Sequence, residues 1–182
     1  MERSQLKGRV LLVSLILIFA LPAIIAKLVL SQQWYTAGVT NFGELIEPKT
    51  TLTNVGVDIL PLQEGWLLAY VVPQNCNRVC EQQVHLLGQS YLALGKYKER
   101  VKLILLIDKG NNDTLKDMDL FREVRTDLTN NDPLLASSVV IVDPLGQLVM
   151  RYQGVSNQAL LVKQSKGILH DLRKLLKLSR VG

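Results

Sequence analysis

Two kinds of apolar pattern run along this chain. From Val10 to Leu30 apolar residues continue almost unbroken, interrupted by Ser14, Pro22 and Lys27. At about 1.5 Å per residue that stretch reaches across the roughly 30 Å of a bilayer interior, which predicts a transmembrane helix. Beyond it the apolar residues come in short blocks. Gly65 to Val72 and Val101 to Ile107 are nearly continuous, the pattern of strands covered on both faces. Ser138 to Val142 and Leu148 to Tyr152 predict two more strands, joined by the turn Asp143-Pro-Leu-Gly146. Val55 to Leu60 reads as a short edge strand. From Arg78 to Lys96 the period changes to that of a helix. Val84, Leu87, Tyr91 and Leu94 form one stripe, and Gly95 is the stop signal. Thr114 to Val124 predicts a second helix, with Asp117 placed as in a capping box. A final helix runs from Ser156 to Leu178, with Leu161, Ile168, Leu172, Leu175 and Leu176 on one side.

The resulting order is strand, helix, strand, helix, strand, strand, helix. Two strand–helix–strand crossovers followed by a hairpin predict an α/β domain: a mixed sheet with helices on both faces. The expected organisation is a tail at 1–9, a membrane anchor at 10–30, a polar linker at 31–54 and one domain at 55–182.

Charge adds orientation. Arg3, Lys7 and Arg9 precede the anchor, positive charge is sparse after it, and Trp34 and Tyr35 follow at interface depth. The tail is therefore expected in the cytoplasm and the domain outside. Neither Ala20 nor Ala26 has a small residue three positions before the cut that a signal peptidase would make, which favours an uncleaved anchor over a cleaved signal. In a bacterium this places the protein in the inner membrane with its domain facing the periplasm, where thiol pairs cycle between disulfide and dithiol. Residues 31–162 hold 11 positive and 14 negative side chains, and the last helix is basic. An acidic body in a chain only 5% aromatic argues against nucleic-acid binding. The basic helix reads as a solvated face, or as a surface for anionic lipid or an acidic partner.

Candidate chemistry concentrates in Trp66-Leu-Leu-Ala-Tyr-Val-Val-Pro-Gln-Asn-Cys76-Asn-Arg-Val-Cys80, which holds both cysteines of the chain. Cysteines four apart on a helix lie about 40° apart around its axis, so their sulfurs can reach each other or grip one soft ion. Cys80 continues the buried stripe, whereas Cys76 lies in the turn, near a helix N-terminus that favours thiolate, with Arg78 close by. Cys76 is thus the candidate attacking thiol and Cys80 the resolving one. His85 is about 140° round the helix from Cys80 and reads as a surface residue. His170 reads as a solvated helix residue. Asp108 and Asp143 each end a strand and read as turn formers, with a proton-acceptor role as the alternative. Nothing in the spacing suggests a zinc or calcium site.

This order of elements, with a cysteine pair after the first strand of the motif, is that of the thioredoxin fold. The sequence resembles the Sco/SenC family of thioredoxin-like proteins, associated with copper delivery to cytochrome c oxidase. The matching residues are the strand Trp66 to Val72, Pro73, Cys76 and Cys80, and the later Ile-Val-Asp143-Pro-Leu-Gly146 followed by a strand and helix. The resemblance covers roughly residues 60–178. It implies a membrane-anchored protein that assists oxidase assembly, with an oxidase subunit or its assembly factors as partners and Cu(I) as the metal that Cys76 and Cys80 would bind. It departs from the family at the third ligand: copper-binding members carry a histidine about eight residues before the Asp-Pro, where this chain has Leu135. Glu81 stands where the family commonly has proline, and Ser137-Ser138 stand where thioredoxins place a cis-proline. The missing histidine moves the expected activity from copper carriage to thiol–disulfide exchange. A Cu(I) chaperone completed by a partner's ligand and a non-catalytic oxidase accessory subunit are the alternatives.

Overall fold

The structure is a computed structural model of the chain, described for residues 2–31, 41–57, 65–111, 119–127 and 137–179, with the side chains of 2–6 and 30 set aside. The chain divides into two compact units between Thr40 and Asn41. The first contains one helix, α1 (Glu2–Ser31), whose segment Lys7–Val29 has mean hydropathy 2.6 and is long and apolar enough to cross a membrane. Its large apolar side chains from Val10 to Leu28 are exposed, the surface of a helix suited to lipid.

The second unit is a six-stranded mixed sheet flanked by helices. Its strands are β1 (Glu44–Thr51), β2 (Trp66–Val71), β3 (Val101–Asp108), β4 (Phe121–Thr126), β5 (Val139–Val142) and β6 (Gln147–Tyr152). They lie in the order β1-β6-β5-β2-β3-β4. β2, β3 and β4 are parallel, with Trp66 opposite Val101 and Leu103 opposite Phe121. β5 runs antiparallel to β2, β6 to β5, and β1 to β6. Helix α2 (Arg78–Leu92) joins β2 to β3, and α3 (Gln158–Leu178) follows β6. The inner four strands β3-β2-β5-β6 with α2 and α3 are the thioredoxin-like arrangement, to which β1 and β4 add one strand at each edge.

Every residue of β2 is buried, because this central strand is covered on both faces. Trp66, Leu68 and Tyr70 point to one face, where they meet Cys80, Val84 and Leu87 of α2 and Ile168, Leu172 and Leu176 of α3. Leu67, Ala69 and Val71 point to the other, against Ile104, Leu106, Val140 and Leu148, with Leu52 and Val57 over them. Each fully buried Leu or Ile contributes about 1.5–3 kcal/mol relative to exposure. The far ends of α2 and α3 are tied together: Arg173 Nη2 donates to Ala93 O, and Arg100 donates to Leu176 O (2.8 Å) and Ser179 O (3.2 Å).

The structure corrects four sequence expectations. The helix expected from Thr114 to Val124 is absent over its end, where 121–124 belong to strand β4; residues 112–118 lie outside the described residues. Three residues apart, Phe121 and Val124 would share a helix face, but in a strand they reach opposite faces, Phe121 toward the core under the helices and Val124 toward the other. Pairing with the edge of β3, which no local pattern encodes, outweighs helix propensity here. As a consequence α2 and α3, the domain helices among the described residues, pack on one face rather than two. The linker expected at 31–54 gives way to β1 from Glu44 onward. That strand is polar and largely exposed, and its partner β6 lies about a hundred residues away, so its sequence has no apolar alternation to betray it. Lastly, Thr53–Val55 is a 3-10 turn rather than the start of an edge strand, while 58–60 lie outside the described residues.

Candidate functional site

The site is built where β2 stops. Val71 N donates to Ser138 O and Val72 N to Leu106 O, both at 2.9 Å, so the strand end is held from both neighbouring strands. Pro73 then removes a donor and turns the chain, and its carbonyl accepts from Asn111 Nδ2 at 3.0 Å. Asn111 is buried, and Arg125 Nη1 donates to its carbonyl at 2.8 Å, so the loop after β3 steadies the turn that leads to the cysteines. Asn77 is the N-cap of α2: its Oδ1 accepts from Val79 N (3.0 Å) and Cys80 N (3.2 Å). Glu81 in the first turn complements the positive end of the helix.

Cys76 and Cys80 form a disulfide, with an S–S distance of 2.03 Å and Cα atoms 5.3 Å apart. Cys80 is 3% exposed and belongs to the main core cluster, while Cys76 is half-buried against the same cluster. One sulfur is therefore shielded and the other faces the surface, which is the asymmetry that directed attack on a disulfide requires.

A cleft of about 410 Å³ opens beside the bridge, and its walls include Tyr70, Cys80, Gln83, Ser137, Gly154 and Gln164. No described residue lining it carries a formal charge. Burial pushes the Tyr70 phenol up to about 12, so it stays a neutral hydroxyl there. Ser137 adopts φ +50°, a left-handed conformation that favours glycine, and it does so against Gly154, where a Cβ would come within 2.4 Å of Ser137 O. The rim is thus two backbones in close approach. Gln83, 4% exposed, projects among these residues with Nε2 unpaired. An unsatisfied buried donor of this kind costs about 1–3 kcal/mol.

The other candidates lie elsewhere. His85 is exposed and lines a groove with Arg78, Glu81, Gln82 and Val162. His170 packs edge-on against Phe42, with ring centroids 5.4 Å apart, and its Nδ1 lies 3.1 Å from Asp171 Oδ1. Asp143 Oδ1 accepts from Leu145 N (2.9 Å) and Gln147 N (2.8 Å), a turn-forming role, and Asp108 Oδ1 accepts from Gly110 N at 3.4 Å. Leu135 lies outside the described residues. Sequence reasoning missed Asn77, Asn111 and Gln83. An Asn just before a helix is a readable cap signal, but Asn111 and Gln83 acquire their roles only through contacts made in the fold.

Residues 66–179, from the start of β2 to just past α3, match the family described as "Transmembrane-like, thioredoxin-like, C-terminal domain". The chain belongs to this family. Among solved structures, this transmembrane-like, thioredoxin-like protein is similar in fold to apo Sco1 from Thermus thermophilus, with TM-score 0.53 and 16% identity over 76% of this chain and 99% of that one. A SCO1/SenC family lipoprotein from Bacillus anthracis aligns at TM-score 0.46 and 16% identity, over 64% of this chain and 84% of the lipoprotein. The thioredoxin domain of a thiol-disulfide oxidoreductase from Bacteroides vulgatus aligns at TM-score 0.42 and 15% identity, over 70% and 96% respectively. At these identities the likeness is one of fold. No curated protein matches the chain.

Proposed function

We propose that this protein is held in a bacterial inner membrane by α1, with its thioredoxin-like domain in the periplasm, and that it exchanges disulfides through Cys76 and Cys80 in support of cytochrome c oxidase assembly. The observation that carries the reading is the Cys76–Cys80 disulfide at the start of α2, one sulfur buried and the other half-exposed. The apolar α1 supports the anchor, and the Sco-like fold supports the link to the oxidase.

In this reading the reduced protein attacks with the Cys76 thiolate. A new S–S bond forms to one sulfur of the target disulfide, and the target's other sulfur leaves and takes up a proton. Cys80 then attacks the Cys76 sulfur, reforms the intramolecular disulfide and releases the target's second thiol. Two electrons pass from the protein to its target, and a separate dithiol donor restores the protein. Asn77 and Asn111 hold the loop in place throughout.

Copper as cargo fits the donor set in part. Two sulfurs that bond to each other when oxidised can grip one Cu(I) when reduced. Neither His85 nor His170 lines the cleft beside Cys80, so a third ligand would come from the partner.

The test is complementation of a deletion strain. Wild-type chain restores oxidase activity in membranes, and a Cys76→Ser/Cys80→Ser variant of equal abundance does not. Full restoration by the double variant would overturn the reading and favour a non-catalytic accessory role. Stoichiometric, tight Cu(I) uptake by the reduced chain would shift the emphasis to copper carriage.

A further inference from the structure

Gln83 stands three residues after Cys80 on the same buried stripe of α2, which continues through Val84 and Leu87. Residues at that spacing are neighbours on a helix surface, with Cβ atoms about 5–6 Å apart. Both side chains line the cleft, and both are more than nine-tenths buried. Yet Gln83 Nε2 finds no acceptor while the disulfide is closed. A buried amide NH₂ group without an acceptor is uncommon and calls for an explanation.

The disulfide supplies it. A sulfur shared between Cys76 and Cys80 is a poor acceptor. Once that bond is broken, Cys80 Sγ can ionise to a thiolate, which carries a third lone pair and a negative charge and is a far stronger acceptor, still shielded from water. Its own backbone amide cannot serve it, because Cys80 N already donates to Asn77 Oδ1 at 3.2 Å. No charged side chain competes for it among the described cleft residues. From β2 the cleft receives the neutral Tyr70, and from α3 Leu161 and Gln164, while Arg78, Glu81 and His85 of α2 line the separate groove.

We infer that Gln83 is a positioning residue for the reduced state: when the disulfide opens, its Nε2–H donates to Cys80 Sγ and stabilises the dithiol form relative to the disulfide form. The inference rests on the Cys76–Cys80 pair working as a redox couple. The couple itself balances simply: the disulfide takes two electrons and two protons from a dithiol reductant, which becomes a disulfide in turn. Gln83 is paired on one side of that equilibrium and unpaired on the other.

The test is the equilibrium constant of the full-length chain in detergent micelles against reduced and oxidised dithiothreitol at pH 7, read by alkylation and mass shift. Gln83→Met keeps the length and removes the donor. It is expected to shift the equilibrium toward the disulfide by about tenfold, a potential about 30 mV more negative for this two-electron couple. Gln83→Leu, which also lacks the donor and carries no ionisable group, is expected to shift it in the same direction. Gln82→Met, on the neighbouring groove, should leave the constant unchanged. An unchanged constant in Gln83→Met, or an equal shift in Gln82→Met, overturns the inference. A second measurement needs no variant. The side-chain amide protons of Gln83 should move downfield and exchange more slowly on reduction, and identical signals in the two states would also overturn it. Loss of the oxidase role in the complementation test leaves these results untouched, so the two ideas fail separately.

Discussion

The buried carboxylate of Asp171 accepts a hydrogen bond of 2.8 Å from the phenol of Tyr152. The same Oδ2 accepts from Phe42 N (2.7 Å) and Gly43 N (3.0 Å). One carboxylate on α3 thereby ties together β6 and the segment that leads into β1. Gly167 and Gly43 make room for this: a Cβ on Gly167 would lie 2.6 Å from Phe42 Cβ, and one on Gly43 would lie 2.6 Å from Met150 Cγ. Burial first, and then Asp171, push the Tyr152 phenol far above the usual tyrosine range.

Asp171→Ala leaves a buried hydroxyl and two backbone amides without their acceptor. The expected loss is about 3 kcal/mol of unfolding free energy, from the cost of orphaned buried donors. Urea unfolding of the full chain in micelles measures it. A loss below about 1 kcal/mol would show that water replaces the carboxylate without penalty.

Tyr70 predicts an alkaline limb. Its folded value of about 12 lies above an unfolded value of about 10, so the neutral form is favoured in the fold. The stability linked to it is complete below about pH 10 and is lost as pH rises toward about 12. Tyr70→Phe should therefore flatten stability against pH across that window by about 2–3 kcal/mol. Tyr152 acts with the same sign and is retained in the variant. Identical limbs in wild type and variant would contradict the assignment.

Gly154→Ala places a Cβ 2.4 Å from Ser137 O, backbone against backbone, where neither side yields without moving the cleft wall. The expected cost is about 2 kcal/mol, typical of overpacking, with faster alkylation of Cys80 in the reduced protein. Gly110→Ala, where nothing lies within 4 Å of the new Cβ, serves as the control and should be near neutral. Equal stability of the two variants would sink the prediction.

Asn77→Ala removes the cap that holds Val79 N and Cys80 N. Loss of about 1 kcal/mol is expected, most visible in the reduced protein, where no disulfide holds the first turn. Asn77→Asp, which keeps the acceptor, should retain the wild-type midpoint in thermal unfolding.

Much of this was readable locally. The almost unbroken apolar run from Val10 to Leu30 predicted a helix long enough to cross a bilayer, and α1 covers it. The strands β2 and β3 were readable because both faces are buried and their runs are continuous. Helix α2 announced itself through its stripe; it ends at Leu92, a few residues before the expected stop at Gly95, which at φ +61° opens a 3-10 turn. The four-residue spacing of Cys76 and Cys80 at a helix start made their nearness readable, although Cys76 itself lies in the turn just before the N-cap Asn77. In contrast, β1 is polar, and its place depends on β6 and on Asp171. β4 carries a spacing that serves a helix as well as a strand, and the free edge of β3 chose between them. Asp171 is one acid on a basic helix, and nothing in the flanking residues records that Tyr152, Phe42 and Gly43 converge on it.

The sequence by itself determined the elements whose stabilising partners are near in the chain or are the surroundings: the apolar N-terminal helix, the central strands, the first domain helix and the cysteine pair at its start. Tertiary structure alone decided which edges were filled, which face both helices cover, and which polar groups are paired when buried. The physical reason is range. Periodicity and capping act over a few residues, whereas an edge strand, a buried carboxylate or the unpaired amide of Gln83 takes its meaning from groups brought within hydrogen-bond reach only when the whole sheet has formed.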